Sequence, residues 1–158
     1  MMIKIETYFF INNEFIPMNR FKGQFDDIDY IEGAIELTIN NKKIISLKSW
    51  DYVDQLWAYF INGIEEIQNM RNFFTYFPDQ PVVLSFTLED NDFVKIGTDY
   101  DGEIYLSVPK KEFISTVCSE AEHFFKHMSN IVPQHKNFWN EYLGKIKKIK
   151  GHNSTYDC

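Results

Sequence analysis

Trp50-Asp51-Tyr52-Val53-Asp54-Gln55-Leu56-Trp57 opens a run that continues to Met70, meets Phe77-Pro78-Asp79-Gln80-Pro81, and then alternates from Val82 to Leu88. Trp50, Val53, Trp57, Phe60, Ile61, Ile64 and Ile67 recur at helical spacing, while Asp51, Asp54, Gln55, Asn62, Glu65 and Glu66 take the other faces. That pattern predicts an amphipathic helix over roughly this stretch. Ser49 or Asp51 is expected to cap its first amides, and acids in the first turn suit the helix dipole. Pro78 and Pro81 forbid continuation, because proline lacks the amide hydrogen that a helix interior needs. Val82, Leu84, Phe86 and Leu88 alternate with Val83, Ser85, Thr87 and Glu89, the period of a strand with one buried face. The stretch is architectural and carries no catalytic signature.

Working outward, Ile3, Ile5, Thr7, Phe9 and Ile11 alternate with Lys4, Glu6, Tyr8 and Phe10, which predicts a strand that Asn12-Asn13 closes. Pro17 to Glu32 has no clean period and is expected to be a long loop, of the kind that is functional or mobile. Ile35, Leu37 and Ile39 form a second strand, and Asn40-Asn41-Lys42 turns it into a third, Lys43 to Leu47. Beyond Leu88, Asp90-Asn91-Asp92 turns into Phe93–Thr98, and Asp99-Tyr100-Asp101-Gly102 turns into Glu103–Val108, making a three-strand meander. Phe113, Val117, Ala121, Phe124, Met128 and Ile131 define a second helix, with Pro109 where a first helical turn tolerates it and Pro133 as its stop. A third runs from about Gln134 to Lys150, where its lysines complement the dipole and Gly151 is expected to cap it. The order predicts an α+β domain over residues 1–150 with a tail at 151–158. A mainly antiparallel sheet of about five or six strands should carry its helices on one face. Trp57, Phe86, Leu106 and Phe124 are expected in one core.

At 158 residues, with 44% hydrophobic and 17% aromatic residues, the chain suits one domain with one core. Residues 1–133 hold 11 Lys/Arg against 21 Asp/Glu, a balance of −10, whereas Lys136, Lys145, Lys147, Lys148 and Lys150 give the last helix a local excess of +4. An acidic body repels nucleic acid and favours basic partners, although solubility alone also explains it. The five lysines fit a solvated helix end better than a nucleic-acid site. No basic segment followed by a long apolar one opens the chain, and no run reaches the roughly 20 apolar residues of a membrane span. Two cysteines, Cys118 and Cys158, make no disulfide framework, so the expected compartment is the cytoplasm, with the Asn153-Ser154-Thr155 sequon incidental.

Glu120, His123 and His127 share a helix flank at a spacing that could hold a metal. The glutamate that directly follows the first histidine in zinc proteases is replaced by Phe124, and no metal or other cofactor is expected. Asp99-Tyr100-Asp101-Gly102-Glu103 begins like a calcium loop but lacks the later glutamate, and Asp-Gly is foremost a hairpin signal. No nucleophile elbow and no phosphate-binding glycine loop is present. Phe73-Phe74-Thr75-Tyr76-Phe77 either forms a surface contact patch or folds under the first helix.

Leu56-Trp57, Gly63-Ile64-Glu65, Phe77-Pro78-Asp79-Gln80-Pro81 and Val108-Pro109-Lys110-Lys111-Glu112-Phe113 resemble a group of small bacterial proteins of uncharacterised function. Some of these resemble candidate immunity proteins of polymorphic toxin systems. The resemblance covers about residues 44–128 and implies a fold more firmly than a function. It implies a non-enzymatic bacterial cytoplasmic protein, monomer or homodimer, that binds and occludes a basic protein toxin. Asp26, Asp27, Asp29, Asp90, Asp92, Asp99 and Asp101 would steer that partner, and Phe73, Phe74 and Tyr76 would anchor it. Two alternatives stay open: a small-ligand binder or enzyme with a pocket between sheet and helices, and a structural homodimer.

Overall fold

Asparagine pairs set the turns. Asn12-Asn13, Asn40-Asn41 and Asn91-Asp92 carry positive φ at both positions, the mirror-image turn whose twist matches paired strands. Asn and Asp tolerate it because their short side chains can bond locally. These turns join β1 (Ile3–Ile11) to β2 (Glu14–Pro17), β3 (Glu32–Ile39) to β4 (Lys42–Ile45), and β7 (Val83–Glu89) to β8 (Phe93–Thr98). β5 (Asp51–Tyr52), β6 (Phe73–Tyr76) and β9 (Ile104–Pro109) complete the strands; α1 is Val53–Gln68, α2 Lys110–Ile131 and α3 Lys136–Thr155. The structure is a computed structural model that describes residues 2–155; Cys158 lies outside the described residues.

The fold is α+β, and every strand pairing is antiparallel. The strands divide over two sheets: the first in the order β2-β1-β3-β4 with β5 also on β3, the second in the order β6-β7-β8-β9. Three strands add to those expected, β2, β5 and β6. Each has four residues or fewer, too few for alternation to stand out from a loop.

One buried cluster serves both sheets. Ile5, Phe9 and Leu37 of the first sheet and Leu84, Phe86 and Ile96 of the second join Trp57, Phe60, Phe113 and Phe124 from the helices. The rings form a chain: Phe9–Phe124 at 6.5 Å, Phe124–Trp57 at 6.1 Å, Trp57–Phe60 at 5.6 Å and Phe60–Phe86 at 5.8 Å. Leu106 is partly buried against this cluster. Trp57 donates its Nε1 hydrogen to Thr7 Oγ1 at 3.0 Å, so the buried indole keeps a partner. Gly63 lets α1 sit flush on the second sheet, since a Cβ there would come within 2.5–2.7 Å of the Phe86 and Phe73 rings.

Some boundaries differ from the sequence reading. Trp50 precedes α1 and packs its ring on Phe10 at 4.7 Å. Neither Ser49 nor Asp51 caps the helix: Tyr52 occupies the cap position without a side-chain bond. Asp51 instead accepts from the Tyr52 and Asp79 amides at 2.7 and 3.0 Å, and Gln80 donates from Nε2 to the Trp50 carbonyl. Residues 79–80 are thereby clasped to β5, and the two sheets are tied together. α3 runs through Gly151 to Thr155, so this glycine does not end it. The 18–31 segment is a strap pinned by aromatic contacts, with Phe21 at 5.2 Å and Phe25 at 4.9 Å from Phe9.

α1 ends in a left-handed cap. Arg71 N donates to Glu66 O at 2.9 Å and Met70 N to Ile67 O at 3.1 Å, the bond pair that satisfies the last helix carbonyls. Met70 holds φ 61°, where glycine is the usual occupant.

Candidate functional site

The two faces of the second sheet differ in kind. Alternation sends Leu84, Phe86, Val94, Ile96 and Val108 into the core. It sends Phe74, Tyr76, Ser85, Lys95, Gly97, Tyr105 and Ser107 to the other side. The register aligns Phe74, Ser85, Gly97 and Tyr105 in one row across the four strands. Phe74, Tyr76 and Tyr105 are 59%, 56% and 47% exposed, high values for rings on regular strands. Phe74 and Tyr76 meet edge to face at 5.4 Å. Tyr105 lies over Gly97, where any Cβ would collide with its ring, and Lys95 Nζ stands 5.3 Å from the same ring. Gly97 therefore lets the tyrosine lie flat on the sheet.

Acids frame this face. Glu89, Asp90 and Asp92 sit at the β7–β8 turn and Asp99, Asp101 and Glu103 at the β8–β9 turn, all exposed. Leu88 N donates to Asn72 Oδ1 at 2.9 Å, which puts the first group at the Asn72 end of β6. Val83 N donates to Asp99 Oδ1 at 2.6 Å, which puts the second near Tyr76. Residues 72–109 hold seven acids (Asp79 with these six) against Lys95, a balance of −6.

The other candidate residues lie elsewhere. Phe73 turns inward, its ring 5.4 Å from Phe86, and Phe77 is buried, so the 73–77 aromatic cluster divides between core and surface. Asp26, Asp27 and Asp29 are exposed on the strap, where Asp27 Oδ1 accepts from Asp29 N at 2.9 Å and Asp29 meets His135 Nε2 at 3.1 Å. His135 belongs to a 3₁₀ turn between α2 and α3, so these acids share no register with the second sheet. His123 is exposed, while His127 stacks on Phe9 at 6.4 Å, its pKa lowered by burial. Among the described residues no group of three His, Cys, Asp or Glu side chains is placed to hold a metal ion. Cys118 is buried, which pushes its thiol up to about 12 and leaves it protonated at neutral pH.

Burial raises two carboxylates, Asp51 and Asp54. Asp51 is raised despite its two amide donors. Asp54, in the first turn of α1, is raised to about 6, and its buried Oδ1 has no hydrogen-bond partner among the described residues. Cavities open at the rim: one of about 380 Å³ beside Met70, Lys110 and Ile114, and one of about 400 Å³ between Lys43, Lys48 and Asp101. No family model, curated protein or solved structure matches this chain. No described helix is long and apolar enough to cross a membrane.

Sequence reasoning missed Tyr105, Gly97 and Lys95. The signal was available, since Tyr105 alternates with Ile104 and Leu106. Which rings share the outward side depends on strand pairing, and that is not written in any one strand.

Proposed function

We propose that this chain is a non-enzymatic bacterial binding protein that occludes a basic protein partner, as an immunity protein occludes its toxin. Its contact face is the outer side of the second sheet. One observation carries the reading: three exposed rings, Phe74, Tyr76 and Tyr105, share a helix-free sheet face framed at both ends by acids. Exposed aromatics become anchors because they bury much area at little entropic cost, and a framing charge of one sign raises the encounter rate with the opposite sign. Asp90, Asp92, Asp99 and Asp101 act as steering groups, with Phe74, Tyr76 and Tyr105 as anchors. Asp26, Asp27, Asp29 and Phe73 stand outside this face. A cytoplasmic location follows from that role, where the protein would meet a toxin made or delivered there.

The test is kinetic and uses the protein encoded by the neighbouring gene. Association should slow as salt rises toward 0.15 M, where charges are screened beyond roughly 8 Å. Replacing Asp90, Asp92, Asp99 and Asp101 with Asn should lower the on-rate more than it changes the off-rate. Phe74→Ala should chiefly raise the off-rate. Absence of binding, or binding indifferent to salt and to all these changes, refutes the reading.

A further inference from the structure

We propose that β6 is a docking edge that takes up an extended, lysine- or arginine-rich segment of the basic partner as a fifth strand of the second sheet; this rests on the reading above. Phe73–Tyr76 pairs only with β7, and among the described residues no backbone bond reaches its other side. The remaining sheet edges are guarded. β2 ends in Pro17, β4 opens with Lys42-Lys43, and β9 ends in Pro109 with its flank against β4. Proline, lysine and covering chain keep those edges from pairing, and β6, though short at four residues, carries none of the three. Its register with β7 is regular from Phe73–Phe86 to Tyr76–Val83, with no bulge to turn the free amides away.

The space beside this edge is open. A shallow, open pocket of about 550 Å³ lies beside it, lined by Glu65, Glu66, Asn72, Phe73, Phe74 and Lys145. An added strand would place alternate side chains in two settings. One set lies on the Phe73 side, toward Glu65 and Glu66 of α1, which pair with Lys145 and Arg71 at 3.4 and 2.7 Å. The other set continues the outer face next to Phe74 and Tyr76. Main-chain bonds give such a complex its affinity, and side chains at alternate positions give its specificity. The charge selects a cation-rich segment, since the β7–β8 acids lie at one end of β6 and Asp79 and Asp99 lie near the other. It also disfavours a second copy of this chain. Two β6 strands pairing antiparallel would bring the acidic end of each beside an acidic end of its mate.

The probe is a capped ten-residue peptide alternating lysine and threonine, set against a charge-matched copy with proline for every threonine. Proline keeps the charge but removes the amide donors and cannot sit inside a paired strand. The alternating peptide should bind at least tenfold more tightly, and at saturation it should slow amide exchange at least tenfold at Phe74 and Tyr76, whose amides face away from β7. Equal affinity of the two peptides, with no added protection at Phe74 and Tyr76, overturns strand addition while leaving the acidic, aromatic face intact as a contact surface. No binding of either peptide also overturns it, and the wider reading then stands or falls on the folded basic partner alone. A free protein that already sediments as a dimer with the Phe74 and Tyr76 amides protected assigns the edge to a second copy and overturns the proposal.

Discussion

The two sheets press the same kind of face onto the same helices, yet they finish their outer sides in opposite ways. On the first sheet the polar groups already have partners: Tyr8 donates to Glu6 at 2.9 Å, Lys4 meets Glu6 at 2.8 Å and Lys43 meets Glu36 at 3.3 Å. Its aromatics close on each other, Phe10 lying 4.6 Å from Phe15 and 4.7 Å from Trp50. The second sheet leaves Phe74, Tyr76 and Tyr105 exposed with small Ser85 and Gly97 between them. A face whose rings are used internally stabilises its own fold. A face whose rings stay wet has its largest stabilisation still to gain from something else.

The inner faces should be equally intolerant of change, so Gly63→Ala, which drives a Cβ into Phe86 and Phe73, should cost about 2–3 kcal/mol in chemical denaturation. A smaller loss would mean that the second sheet is held more loosely than the first. Phe10→Ala should cost about 1–2 kcal/mol of stability by opening the Phe10, Phe15 and Trp50 cluster, yet leave partner binding unchanged. Binding lost with it would erase the distinction between the faces.

Asp54 probes the junction where α1 starts beneath the first sheet. Its folded pKa of about 6 exceeds its ordinary 3.8, so the folded state holds the proton more tightly. The sign is therefore a loss of stability as pH rises from about 4 through about 6. Asp54→Asn should flatten that slope and stabilise the protein at pH 7 by about 1–2 kcal/mol, with little change at pH 4. Thermal melts across that range check it. Met70→Gly should relieve the left-handed strain at the end of α1 and raise stability by about 1 kcal/mol. Smallest of all, Tyr105→Ala should move stability by less than about 0.5 kcal/mol, because the ring is surface-held, while shortening the lifetime of any complex. A large stability loss there would place Tyr105 with the closed rings of the first sheet.

Long periodic elements were legible in the sequence. The stripe from Val53 to Ile67 and the alternation in β1, β7, β8 and β9 each have enough repeats to announce their geometry. Elements set by distant chain were not. Asp51 reads as a helix cap until Asp79 is brought beside it, and Phe73 and Phe74 look equivalent until pairing with Phe86 and Ser85 sends them to opposite sides. The acids at 90, 92, 99 and 101 were readable as turns, because Asn91, Asp92 and Asp101 answer a backbone need, a positive φ, within those segments. That they frame a shared face depended on register.

The strap between β2 and β3 bears on how the chain comes together in time. β6 to β9 pair with sequence neighbours across short connections, so each closure in that sheet loses little chain entropy. β1 reaches β3 only after β2 and the whole strap have been looped out, and the strap gains its ring contacts with Phe9 only once β1 is in place. The second sheet with α1 should thus form early and the β1–β3 seam late. Mutations at Phe21 or Phe25 would then speed unfolding more than they slow folding.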